Sequence, residues 1–266
     1  MDINYRVADN AQPQVKLLLG AVALSIGVWV LSWIFPIASY LYYPLQLFAT
    51  FIHESSHALA AIITGNSVSS LTVSPDTSGA VWSSSSGISG LFISSAGYLG
   101  TTAFGTLLLA WIRYAKSPRP ALYFSASLIG LMTIAFGLIL PFYNFLENVT
   151  VGSIAFTVLA GLVISAGLFA IARYAPIGWA RFAMAVLSVQ CLLNAFFSLK
   201  DLFVISALST QQTDAANMAN ATGIPALFWA ILWIAISAIM IVVGIRMYAI
   251  GGKKEKDTLF IDGPTI

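Results

Sequence analysis

Long apolar runs separated by short polar breaks dominate the chain. A helix needs about 20 apolar residues to cross a hydrocarbon core of about 30 Å. Seven stretches answer to that description: 17–35, 41–64, 88–112, 121–141, 151–172, 178–200 and 225–247. The breaks fall at Pro36, the Ser/Gly-rich stretch 74–90, Ser117-Pro118-Arg119-Pro120, Asn144 to Asn148, Pro176 and the polar stretch 209–224, where backbone chemistry favours turns. The first run has a long apolar core with no small-residue cleavage site after it, so it reads as a retained span and not a signal peptide. The pattern predicts an all-α polytopic membrane protein of about seven transmembrane helices. It forms one integral membrane domain over 1–250, followed by a charged tail over 251–266.

One stretch breaks the helical pattern. Leu71-Thr72-Val73 and Ala80-Val81-Trp82 flank Ser74-Pro75-Asp76-Thr77-Ser78-Gly79. Two β-prone triplets around a Pro/Asp/Gly turn predict a short hairpin over 71–82, although strands this short are also compatible with a plain surface loop.

Composition sharpens the class. Apolar residues make up 59% and charged residues 8% of the 266 residues, against about 45–50% and 25% in ordinary soluble chains. Mean hydropathy is +0.88. A net charge of +2 and a single cysteine, Cys191, exclude a nucleic-acid binder and a disulfide scaffold. Nine of the twelve basic residues follow the third, fifth and seventh spans, while Arg6, Lys16 and Lys200 lie on the other side. The positive-inside bias therefore favours a cytoplasmic C-terminus.

Both histidines of the chain lie in His53-Glu54-Ser55-Ser56-His57, inside the second span. Positions i and i+4 share a helix face, so both imidazoles can reach one metal ion, with Glu54 beside it to accept a proton from a water that the ion activates. As mere polar decoration at a helix end, the motif prices badly. A carboxylate in mid-membrane costs about 2.5–3.5 kcal/mol or more on insertion scales. Zinc is the expected ion for imidazole and carboxylate donors.

A catalytic zinc takes three protein ligands, and without further histidines the third should be a carboxylate. Asp76 in the hairpin turn and Asp214 in a polar loop read as solvated. Glu147 reads as lying across the membrane from the end of the second span. Asp201 remains, at the exit end of the sixth span, which runs in the same direction as the second; the other reading of Asp201 is a solvated neighbour of Lys200. Asn194 lies two helical turns before Asp201 on the same face. It can hold substrate or an oxyanion, or bond to a neighbouring helix. Gly97, Gly100, Ala103 and Gly105 in the third span suggest close packing against the motif helix.

Several stretches taken together resemble the B-like branch of peptidase family fifty, relatives of the site-2 intramembrane zinc metalloproteases. They are Phe51 to Ala60 with Thr64-Gly65, Ser74-Pro75-Asp76 with Ser78-Gly79, Ala96-Gly97-Tyr98-Leu99-Gly100, Thr213-Asp214-Ala215, Thr222-Gly223-Ile224-Pro225 and Trp229-Ala230-Ile231-Leu232-Trp233. The resemblance implies zinc held by His53, His57 and Asp201, with Glu54 as general base. In site-2 proteases the third ligand ends an Asn-x-x-Pro-x-x-Leu-Asp-Gly pattern. Asn194 and Asp201 keep its spacing, while Phe197, Lys200 and Leu202 replace its Pro, Leu and Gly. The resemblance also implies zinc near the cytosolic face, the opposite orientation to the one the charges favour.

The function expected is hydrolysis of peptide bonds in or near transmembrane segments, with a transmembrane or membrane-proximal protein as substrate and the bilayer as surroundings. An unwound substrate strand could add to the hairpin edge. The competing readings are a transporter with a metal site and a catalytically silent scaffold. Such transporters usually carry more intramembrane charge and paired broken helices than this pattern shows.

Overall fold

A computed structural model describes residues 12–85, 87–208 and 213–249, with side chains described except at 12–14, 195–208 and 248–249. The expected tail at 251–266 lies outside them. The helices are α1 (Gln12–Ile34), α2 (Pro36–Ile63), α3 (Ile88–Tyr114), α4 (Arg119–Met132), α5 (Leu140–Tyr143), α6 (Val151–Tyr174), α7 (Ile177–Leu208), α8 (Asp214–Thr222) and α9 (Ala226–Ala249). A π-helical stretch, Thr133–Ile139, joins α4 to α5 in one continuous rod.

Among the described residues, six helices are long and apolar enough to cross a membrane: α1, α3, the α4–α5 rod, α6, α7 and α9. The seventh expected span, α2, is 28 residues long but is not among the six. Its sequence explains this, since Tyr40, Tyr42, Tyr43, Gln46, His53, Glu54 and His57 dilute its apolar content. Protein packs around its middle turns, from Leu47 to Ala58. Phe48, Ala49, Phe51 and Ile52 are each at most 1% exposed, and α2 packs against α1, α3, α7 and the hairpin.

Local chemistry sets the ends of α2. Pro36 opens it, where a missing N–H costs nothing. At its C-terminus Gly65 adopts φ +76°, and the N–H groups of Gly65 and Asn66 return to the carbonyls of Ile62 and Ala61 (3.0 and 2.8 Å). That pair of bonds closes the last turn and needs a left-handed residue, which glycine supplies without strain.

The expected hairpin forms, and it is longer than the triplets suggested: β1 (Val68–Val73) pairs antiparallel with β2 (Gly79–Ser83), with an irregularity between Val68 and Ser70. Tertiary contacts extend it. The outer edge of β1 is covered, because Val73 N–H donates to Thr157 Oγ1 (2.9 Å) and Asn144 Nδ2 donates to the Ser69 carbonyl (3.1 Å). The second bond corrects the placement of Glu147. It ties the start of that turn to β1, the strand that follows α2, so the turn lies at the end of the molecule where α2 ends.

The β2 edge is different. Ser74 N–H donates to Ser78 O and Ser84 N–H to Ser67 O (2.8 and 3.0 Å). Backbone groups alternate direction along a strand, so Ala80 and Trp82 face β1, and Gly79, Val81 and Ser83 turn their N–H and C=O outward.

Candidate metal centre

The motif helix presents one face to the hairpin. Tyr43 O–H donates to the Pro75 carbonyl and Thr50 Oγ1 to the Thr77 carbonyl, both at 2.8 Å. Glu54, one turn beyond Thr50, is 5% exposed, and β2 lies directly against it. A methyl group at Gly79 would come within 2.5 Å of Glu54 Oε1. The hairpin turn therefore depends on a residue without a side chain at the point where it crosses the carboxylate.

The two imidazoles converge. His53 Nε2 and His57 Nε2 are 3.1 Å apart. His57 Nδ1 lies 2.6 Å from the Ile93 carbonyl, which can only accept. That bond puts a proton on Nδ1, so Nε2 is the nitrogen that can offer a lone pair to an ion. Asp214 Oδ2 completes a triangle, 3.6 Å from His53 Nε2 and 3.3 Å from His57 Nε2.

Asp214 is not the solvated loop residue expected. It opens α8, capped by Thr213, whose hydroxyl accepts from Ala216 N–H (3.1 Å). Gly223 closes the helix at φ +73°. Ala215 and Met218 bury one face of α8, and Asp214, Asn217 and Asn220 line the other. Burial pushes the Asp214 carboxyl up, but the imidazoles of His57 and His53 outweigh it and hold the group well below the usual carboxylate range. The signal for α8 was present in the sequence: a Thr-Asp start, a Gly-Ile-Pro stop and apolar residues three apart.

The donor set fits a tetrahedral ion. With metal–nitrogen distances of about 2.0–2.1 Å, tetrahedral ligands sit about 3.3–3.4 Å apart, close to the three edges here. His53, His57 and Asp214 are the group among the described residues with ligand atoms close enough to share one ion. Gly97 on α3 makes the room, because a methyl there would collide with both Nε2 atoms. Gly100 meets Ser56 in the same way, whereas Gly105 faces Cys191 and Leu192 of α7. The expected approach of α3 to the motif helix is therefore made by the first two glycines.

Of the other residues singled out in the sequence, Asn194 lines the same cavity as His53, Glu54, His57 and Asp214. Asp76 stays in the exposed hairpin turn, its Oδ1 accepting from the N–H and O–H of Ser78 (3.0 and 2.6 Å). Asp201 belongs to α7, and its side chain lies outside the described residues. The cavity is about 1210 Å³ and is walled by Gln46, Thr50, Tyr98, Asn217 and the β2 residues 79–83. Tyr98 was legible only as part of a motif, and nothing in the sequence showed that its ring packs on His53.

Fold and site define a multi-pass helical membrane protein with a metal-competent cluster enclosed among its helices. A family model described as Peptidase M50B-like matches residues 18–244. The chain belongs to that family. No curated protein and no solved structure matches it.

Proposed function

We propose that the protein is an intramembrane zinc metalloprotease in which His53, His57 and Asp214 hold the ion and Glu54 is the general base. The observation that carries this reading is the convergence of two imidazoles and one carboxylate beside a buried glutamate, in a chain of a peptidase family. When bound, zinc lowers the pKa of water to about 7 and draws charge from a carbonyl oxygen.

The chain's own residues supply the rest. Glu54 takes the proton from the attacking water and returns it to the leaving nitrogen, so proton and bond counts balance. Asp214 keeps its charge to offset that of the ion. Asn194, which lines the cavity, donates its amide to a substrate carbonyl.

The substrate must arrive extended, because a transmembrane helix hides its carbonyls in i→i−4 bonds. The outward N–H and C=O groups of Gly79, Val81 and Ser83 offer such a strand a partner by β-addition. That edge belongs to the strand that crosses Glu54, so a strand docked there runs along the cavity wall toward the base.

The deciding experiment measures zinc per chain in detergent-purified protein. About one zinc in the parent and in Asp201→Ala, with far less in Asp214→Ala, is the expected result. Loss in Asp201→Ala with retention in Asp214→Ala would transfer the ligand role to Asp201. No zinc in the parent after metal supplementation would overturn the proposal.

A further inference from the structure

Two stretches distinctive in the sequence are only partly used by this chemistry: Ala96 to Gly100 on α3 and Trp229 to Trp233 on α9. Gly97 and Gly100 give clearance, but Tyr98 and Trp233 have no step. We infer that Tyr98 and Trp233 are positioning residues that hold the metal cluster in its ligating arrangement. By this route α9, which supplies no ligand, sets metal affinity. The inference rests on the metal-site reading above.

The two histidines are held differently. His57 is oriented by its bond to the Ile93 carbonyl. His53 is oriented by ring contact. The Tyr98 ring meets it at a centroid separation of 4.8 Å and an interplanar angle of 86°, the perpendicular arrangement aromatic pairs favour.

Tyr98 is itself held from behind. It stacks on Trp233 at 5.4 Å and 25°. Trp233 is 1% exposed, and its Nε1–H donates to Ser95 Oγ (3.2 Å), one turn before Tyr98 on α3. The indole is therefore tied to α3 by a bond as well as by the stack, which fixes the plane against which Tyr98 rests.

The same indole braces the third donor. Trp233 and Ala230 of α9 form one buried cluster with Ala215 and Met218 of α8, and Tyr98 packs against that cluster. Asp214 is the residue immediately before Ala215. A single aromatic pair thus supports His53 through Tyr98 and the start of α8 through the apolar contacts behind it. Groups that orient metal ligands without touching the ion typically contribute 10–100-fold to affinity.

Zinc affinity of the detergent-purified full chain, measured by competition with a chromogenic chelator, tests the inference. Visible spectra of the cobalt-substituted protein supply a second readout of ligand geometry. Trp233→Ala and Tyr98→Ala should each weaken zinc at least about 10-fold and alter the cobalt spectrum, while Trp233→Phe and Tyr98→Phe stay within about 3-fold of the parent. Trp233→Leu keeps apolar volume but removes the flat face, and it carries the test with the same expected loss if the alanine variants do not fold.

Ser237→Ala is the control for general loosening of the α3–α9 contact, because it removes the Thr102–Ser237 hydrogen bond (3.1 Å). Parental affinity and spectrum in the folded Trp233 and Tyr98 variants would overturn the inference alone, as would an equal loss in Ser237→Ala. A parent that binds no metal would overturn the metal-site reading and this inference with it.

Discussion

Gly97 makes room for the site, because it contributes no atoms where the imidazoles meet. Gly97→Ala puts a methyl against both Nε2 atoms. Zinc affinity should fall by at least about 10-fold, the lower range for disturbing ligand orientation, while Gly65 and the α2 terminus are untouched. Retained affinity, read by chelator competition, would mean that α3 can retreat from α2. Glu54→Gln tests the opposite dependence. The amide keeps the shape of the side chain but cannot take a proton, so kcat should drop about 10²–10⁴-fold with zinc content unchanged. Loss of zinc along with activity would make Glu54 a structural part of the cluster.

The hairpin and α8 turn these residues into a site. The hairpin was visible as two β-prone triplets, but its length and the direction of its free edge were not. Those follow from α6 and the 144–150 turn covering β1, which leaves β2 open. Val81→Pro removes an outward N–H without touching the ladder to β1, so the fold and the zinc should survive. If β2 receives substrate, kcat/KM should fall roughly 2–10-fold for the hydrogen bond lost; an unchanged value would show that substrate does not dock on this edge. Proline at Val73 would be a poorer probe, since that N–H is bonded to Thr157. The α8 helix was read as a polar loop because nine residues with two buried apolar positions give a weak periodic signal. Its role follows from packing on α3 and α9, which turns Asp214 inward.

Across the whole molecule, α2 is long enough to span the bilayer, at 28 residues, although its own composition is too polar to qualify. Neighbouring elements cover its turns from Leu47 to Ala58, so they provide the apolar surroundings that lipid would otherwise supply. This makes a topological prediction. In a Cys191→Ala background, cysteines at Ile37 and Lys116 should react with an impermeant thiol reagent from one side of the membrane. Cysteines at Thr77 and Glu147 should react from the other. Labelling of Ile37→Cys and Thr77→Cys from the same side would show that α2 does not cross. The turns around Lys116 and Ala175 are linked, as Arg181 donates to the Lys116 carbonyl and Arg119 to the Ala175 carbonyl (3.2 and 3.5 Å). Arg113, Lys116, Arg119, Arg173 and Arg181 therefore gather at the end of the molecule away from the hairpin.

The sequence by itself determined the membrane class, six of the seven expected spans, the hairpin's location and the two histidines with their glutamate. Each of these is written in local pattern: hydropathy over about 20 residues, or i, i+4 spacing on one helix. Only the tertiary structure brings Asp214 to the imidazoles, leaves the β2 edge open and sets the Tyr98 ring against His53. These depend on contacts between residues far apart in the chain: His57 with Asp214, Gly79 with Glu54, Tyr98 with Trp233. Periodicity reports which face of a helix is apolar, but not which partner that face will meet. Asp214 looked like a solvated loop residue because its local surroundings are polar, and it meets the imidazoles because α3 and α9 fold the apolar side of its helix against themselves.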